Sequence, residues 1–177
     1  MNQLRKYAVV VSVYLNTRGF AFVLFEGALS PFDWGVKEVR GRGKHVKCLA
    51  KIEGIFLRYQ PDILVLQDTS PSGTVRAPRI NRLNAAVATL GEGRGMPVYS
   101  YSREVVLSAF GYLGAANKQS IAEAIAKHLP VFERYIPPPR KPWMSEDARM
   151  GLFDAAALGL VFFQRAGGIQ PPLSPSL

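Results

Sequence analysis

Three arginines at intervals of three, Arg76, Arg79 and Arg82, are the first residues of this chain whose type and spacing suggest chemistry. On a helix they would spread over one side, and each offers a planar fork of donors matched to phosphate oxygens. A second basic run, Lys37, Arg40, Arg42, Lys44, Lys47 and Lys51, includes few acids. A solvated charged face would explain either run alone. Their clustering, in a chain of net charge +9 and pI near 9.9, favours contact with a polyanion, and nucleic acid is the commonest polyanion in a cell.

Carboxylates are scarcer. Asp154 stands in an apolar helix start, FDAAALG. A carboxylate on a buried side needs a partner, which marks Asp154 as a site position rather than a surface charge. Asp68 precedes the loop TSPSG and either caps it or ligates a metal. Glu146 and Asp147 suit the start of the last helix, where the macrodipole favours negative charge. His45 and His128 are isolated, Trp34 and Trp143 read as packing residues, and Cys48 reads as a small helix residue. No phosphate-binding glycine loop, dinucleotide motif or Cys/His zinc pattern is present.

These side chains need elements to position them. With 177 residues, 48% hydrophobic and 20% charged, the chain has the size and composition of one soluble globular domain. It has no apolar run of the roughly 20 residues that a membrane span requires, and residues 1–6 are too short and too poorly patterned for a signal peptide. A single cysteine excludes an internal disulfide and fits a reducing, cytoplasmic compartment. Apolar, β-branched runs predict strands over 7–16, 20–26, 34–39, 63–66 and 97–101, the first two joined by the turn Asn16-Thr17-Arg18-Gly19. Helical spacing predicts helices over about 45–59, 77–90, 103–110, 118–129 and from 147 or 148 to 164. The Pro-rich stretch 137–142 is a stiff connector, and the Pro/Ser-rich residues 167–177 read as a disordered tail after a domain spanning 1–166. Three strands in a meander followed by alternating helices and strands predict an α/β domain. Its sheet is mixed and five-stranded, three strands antiparallel and two parallel, flanked by helices, an arrangement similar to the RNase H-like fold.

Longer segments carry a more specific likeness. YQPDILVLQD, ending at Asp68, resembles the part of RuvC-type Holliday-junction resolvases in which a Gln-Pro-Asp turn closes a helix and the next strand delivers a catalytic glutamate. GMPVYSYSREVVLSAFGYLGAANKQSIAEAI resembles their Pro-Val-aromatic strand, followed by a helix, a glycine break and a lysine. FDAAALGLVFF is similar to their closing helix, and Arg18-Gly19-Phe20-Ala21-Phe22 matches the start of their second strand loosely. The likeness covers about residues 7–166, and its order and spacing carry it more than any one motif.

The resemblance implies a nuclease using two magnesium (or manganese) ions about 3.5–4 Å apart, held by carboxylates. It also implies a homodimer acting on branched DNA. The first-strand aspartate should fall on Ser12, Val13 or Tyr14, the fourth-strand glutamate on Gln67, and the closing-helix pair on Gly151 and Asp154. Of these only Asp154 is acidic. Asp68 could replace Gln67 only if the strand has ended or bulged, since neighbouring strand residues face opposite ways. Asp147, about 10 Å up the helix from Asp154, could contribute to a rearranged site. Lys118 matches the family's lysine near the scissile phosphate or is a solvated helix-start residue; a second family lysine falls near Val106.

The expected catalytic residues are thus Asp68, Asp154 and Lys118, the expected metal ligands Asp68, Asp154 and Asp147. Arg76, Arg79, Arg82, Lys118, Lys44 and Arg42 are the expected nucleic-acid contacts. Three functions remain open: a DNA-binding protein of this fold with weakened or lost nuclease chemistry, an active magnesium-dependent junction endonuclease, and a non-enzymatic interaction protein.

Overall fold

In the first strand, β1 (Val10–Asn16), odd and even residues go to different cores. Val11, Val13 and Leu15 pack on one face of the sheet, and Val10 and Tyr14 on the other. That alternation is the two-residue period of a strand covered on both sides. In this computed structural model, which describes residues 8–165, β1 is the centre of a five-stranded sheet of order β3-β2-β1-β4-β5. The other strands are β2 (Gly19–Phe25), β3 (Pro31–Glu38), β4 (Ile63–Gln67) and β5 (Val98–Tyr101). The pairs β1–β2 and β2–β3 are antiparallel, β1–β4 and β4–β5 parallel. This is the mixed α/β sheet that the sequence predicts.

Helices α1 (Lys44–Tyr59) and α2 (Pro78–Gly93) cover one face through Ile52, Phe56, Ile80, Leu83 and Val87. The other face carries α3 (Arg103–Gly111), α4 (Lys118–His128), a 3-10 turn (Pro130–Tyr135) and α5 (Met150–Arg165). Helix α5 is apolar nearly all round because it lies between the sheet and α4. Gly159 lets it approach β2: a Cβ there would fall 2.3 Å from the ring of Phe25.

Some boundaries differ from the sequence reading. Helix α2 does not stop at its first glycine. Gly91 lies within the helix, and its missing side chain clears Leu64 of β4, whose Cδ2 would lie 2.6 Å from a Cβ. The turn comes at Gly95, with φ of +80°. Helix α5 begins at Met150, so neither Glu146 nor Asp147 is helical. Trp34 packs as expected, edge-on against Phe132 at 4.9 Å. Trp143 does not pack: it is 78% exposed. The expected tail, 167–177, lies outside the described residues.

Candidate functional site

The C-terminal end of β1, the end of β4, the start of α4 and the first turns of α5 converge on a small cavity of about 40 Å³. Its polar lining comes from Tyr14, Gln67, Arg103, Lys118 and Asp154, its apolar lining from residues such as Val106, Leu107 and Phe153. Of the three candidate positions in β1, only Tyr14 lines this cavity. Val13 faces α1 and α2. Ser12 faces α5 but is spent in the core, where its hydroxyl donates to the Ala155 carbonyl at 2.7 Å. Tyr14 faces the cavity, and continuing the β1–β4 register from Ser12 opposite Val65 sets it beside Gln67.

Lys118 is the hub. Its ammonium donates to both oxygens of Glu146, at 3.1 and 3.2 Å, and to Asp154 at 3.1 Å, and it lies 5.5 Å from the centre of the Tyr14 ring. Burial works against the charged lysine, but Asp154, Tyr14 and Glu146 outweigh it and raise its pKa. Asp154, only 16% exposed, is pushed up to about 6, chiefly by burial and despite Lys118. Burial and the charge of Asp154 also raise the Tyr14 phenol, which keeps it neutral.

Arg76 closes the other side. It precedes α2 rather than riding on it, so the three-arginine helix face expected from the spacing is reduced to Arg79 and Arg82, both exposed. The Arg76 guanidinium instead turns inward. It donates to the Gln67 side-chain oxygen and, at 2.7 Å, to the Leu15 carbonyl, and stacks 5.1 Å from the Tyr14 ring centre. Gln67 is buried, its own carbonyl held by Asn84 at 2.9 Å.

The other expected acids are elsewhere. Asp68 turns into its own loop, accepting from the Ser70 N–H at 2.9 Å, with Gly73 pressed against its carboxylate. Asp147 is not two turns up the closing helix. It pairs with Arg149, the main reason its pKa falls to about 2. Its side chain also accepts the Arg149 N–H, within the turn that leads into α5. Glu146 was expected at a helix start and instead reaches Lys118. Gly151, where the resemblance implies an acid, abuts β1: a Cβ would sit 3.1 Å from the Asn16 amide nitrogen.

These donors do not suit a pair of divalent cations. Of the matched positions, Tyr14, Gln67 and Gly151 bring no charge, and the one carboxylate, Asp154, is already neutralised by an ammonium. Among the described residues no group of three or more His, Cys, Asp or Glu side chains could hold a metal ion. What the arrangement offers is Lys118, Arg76 and Arg103 set around two carboxylates, Asp154 and Glu146, and the neutral side chains of Tyr14 and Gln67.

Outside the cavity runs a wider groove of about 740 Å³, lined by the cations Arg18, Arg103, Lys118 and Arg140, by the acids Glu146 and Asp147, and by Asn117, Gln119 and the segment Pro137 to Pro139. Arg18 also borders a shallower depression with Arg40 and Lys44, whose ammonium donates to the Thr17 carbonyl. Arg42 is exposed nearby in sequence but borders neither hollow. Arg18, Arg103 and Arg140 were not picked out from the sequence because they come from three distant segments with no shared spacing.

Solved structures share this architecture. The chain superposes on Thermus thermophilus RuvC in complex with a Holliday junction substrate with a TM-score of 0.65 at 18% identity, covering 91% of this chain and 97% of that one. The fold is that of the RuvC-like resolvases. The RuvC-like sheet and its helices also match the fowlpox virus Holliday junction resolvase bound to junction DNA (TM-score 0.54, 11% identity, 88% and 98% covered). A third match is the yeast mitochondrial Holliday junction resolvase (TM-score 0.54, 14% identity, 92% and 81% covered). No protein-family model and no curated protein sequence matches the chain. Among the described residues no helix is long and apolar enough to cross a membrane.

Proposed function

We propose that this protein binds branched or duplex DNA through phosphate contacts and that its metal-dependent nuclease chemistry is weakened or lost. The observation that carries the reading is the Lys118 ammonium held 3.1 Å from Asp154, in a cavity whose other matched positions are Tyr14 and Gln67. Two dications need several anionic oxygens; a lysine and an arginine in their midst repel cations and attract phosphate. The groove of Arg18, Arg103, Lys118 and Arg140, with exposed Arg79 and Arg82 on α2, supplies the phosphate donors. The solved neighbours include resolvases bound to Holliday junctions, which makes a four-way junction the first substrate to try. A homodimer would set two such grooves against the symmetric arms of a junction.

The test is binding and cleavage of a labelled four-way junction with magnesium or manganese over a salt series, beside Asp154→Asn. Salt-sensitive binding without cutting, alike in both proteins, supports the proposal, because released counterions make phosphate binding weaken as salt rises. Metal-dependent cutting that disappears in Asp154→Asn overturns it in favour of an endonuclease with a rearranged site. No binding at low salt leaves an interaction protein on this fold.

A further inference from the structure

We propose that Trp143, next in the chain to the groove-lining Met144, is a stacking platform for an unpaired nucleobase. The inference rests on the DNA-binding reading above and adds to it a base contact that phosphate chemistry does not require.

Trp143 is 78% exposed, the least covered aromatic ring among the large hydrophobic residues of the described chain. Water contact is costly for so large an apolar surface, and indoles at exposed positions recur where one face meets a partner. The ring is not on a loose loop. Met144 N–H donates to the Lys141 carbonyl at 3.0 Å, closing a four-residue turn with Pro142 and Trp143 as its central residues. Proline fixes the backbone angle at the first central position, so the turn presents the indole with little conformational entropy left to lose on binding.

The charge around the ring selects the partner. Lys141 holds its ammonium 5.4 Å from the Trp143 ring centre, and Arg140 and Met144, its near neighbours in the chain, line the groove that Arg18 and Lys118 also border. An apolar protein partner has no use for that many cations. A nucleic acid satisfies both features, its phosphates meeting the cations and a base stacking on the indole. Every base has a π-face, but only one outside a double helix can lay that face on a side chain. The ring therefore favours a strand exchange point or a single-stranded arm over a paired duplex.

The chain has two tryptophans, and Trp34 is packed against Phe132, so both emit but only Trp143 is open to a stacking base, and the change in emission on binding reports on it. The experiment uses the full chain, an oligothymidine of about 12 nucleotides, a paired duplex and a four-way junction. Binding is followed by anisotropy of labelled DNA and, separately, by tryptophan emission. Saturation with oligothymidine is expected to quench the emission strongly and saturation with duplex to leave it nearly unchanged. Trp143→Ala should weaken oligothymidine binding by about 5- to 100-fold while leaving duplex binding within about twofold; Trp143→Phe should retain most of it. DNA binding by anisotropy with unchanged emission and an unaffected Trp143→Ala variant overturns the stacking proposal and leaves the phosphate reading standing. No DNA binding of any kind overturns both.

Discussion

The Lys118 ammonium lies 3.1 Å from Asp154, in a cavity whose other polar lining residues, Tyr14, Gln67 and Arg103, carry no negative charge. Burial raises Asp154 to about 6 from 3.8, while Lys118 pulls it down and Glu146 pushes it up. Carbon-detected NMR of the Asp154 carboxyl should therefore show a midpoint near 6, higher in Lys118→Met and lower in Glu146→Gln. The folded state holds this proton after the unfolded chain has released it. Its contribution is thus fully present below pH 3.8 and lost as pH rises through about 6, an effect of about 2–3 kcal/mol in the urea-unfolding free energy. A midpoint near 4 would mean that the carboxylate is solvated and the cavity open.

Arg76 and its two neighbours in the arginine series should behave differently. Arg76 ties Gln67 at the end of β4 to the Leu15 carbonyl at the end of β1. Arg76→Ala leaves both acceptors without this donor and should cost about 1–3 kcal/mol of stability in chemical denaturation. Arg79→Ala and Arg82→Ala remove exposed charges and should change stability by less than about 0.5 kcal/mol. On DNA each should instead flatten the dependence of log affinity on log salt, by about one unit for every phosphate the protein no longer neutralises. Equal stability loss in all three variants would contradict the inward placement of Arg76.

Restoring carboxylates should restore metal binding. Tyr14 and Gln67 flank the cavity with Asp154, so Tyr14→Asp combined with Gln67→Glu would gather three acids where one stands now. Arg76 and Lys118 compete for them, so the expected gain is a weak manganese site, visible by electron paramagnetic resonance in the double variant and not in the parent. Manganese binding of equal strength in the parent would show that the natural donor set already suffices.

The parts of this arrangement readable from sequence are those with a period or a local signature. The apolar, β-branched run of β1, the spacing in α1 and the turn at Asn16, whose side-chain oxygen accepts from Arg18 and Gly19, are local facts. Together they yield the sheet and most helix limits. Asp154 is legible because a carboxylate in an apolar helix has to be answered by a partner. What was not legible depends on residues far apart in the chain. Lys118 and Glu146 meet only once α4 and the segment before α5 are packed, and nothing in either stretch announces the other. Spacing alone also misled: the three-residue interval of Arg76, Arg79 and Arg82 looks helical, yet Pro78 opens the helix and leaves Arg76 outside it. Nor does sequence alone tell which even residue of β1 reaches the cavity: it is Tyr14, while Ser12 is spent in a hydrogen bond to Ala155.

Glu146 stands between Lys118 and the groove. Its carboxylate accepts two hydrogen bonds from Lys118, the same kind of bond a phosphate would accept, and at 44% side-chain exposure it sits toward the groove while Asp154 lies beneath. An incoming phosphate must displace it or share its lysine, so the pair screens Lys118 in the free protein. Glu146→Gln should then tighten DNA binding by about 2- to 5-fold at low salt, within the range of a single partly exposed charge pair. Removing any acid from a basic protein helps somewhat, and a double-mutant cycle separates the two effects. In a Lys118→Met background the gain from Glu146→Gln should shrink to that of Glu123→Gln, an exposed acid on the outer side of α4. An undiminished gain would mean that Glu146 acts only through the overall field and that Lys118 does not contact the DNA.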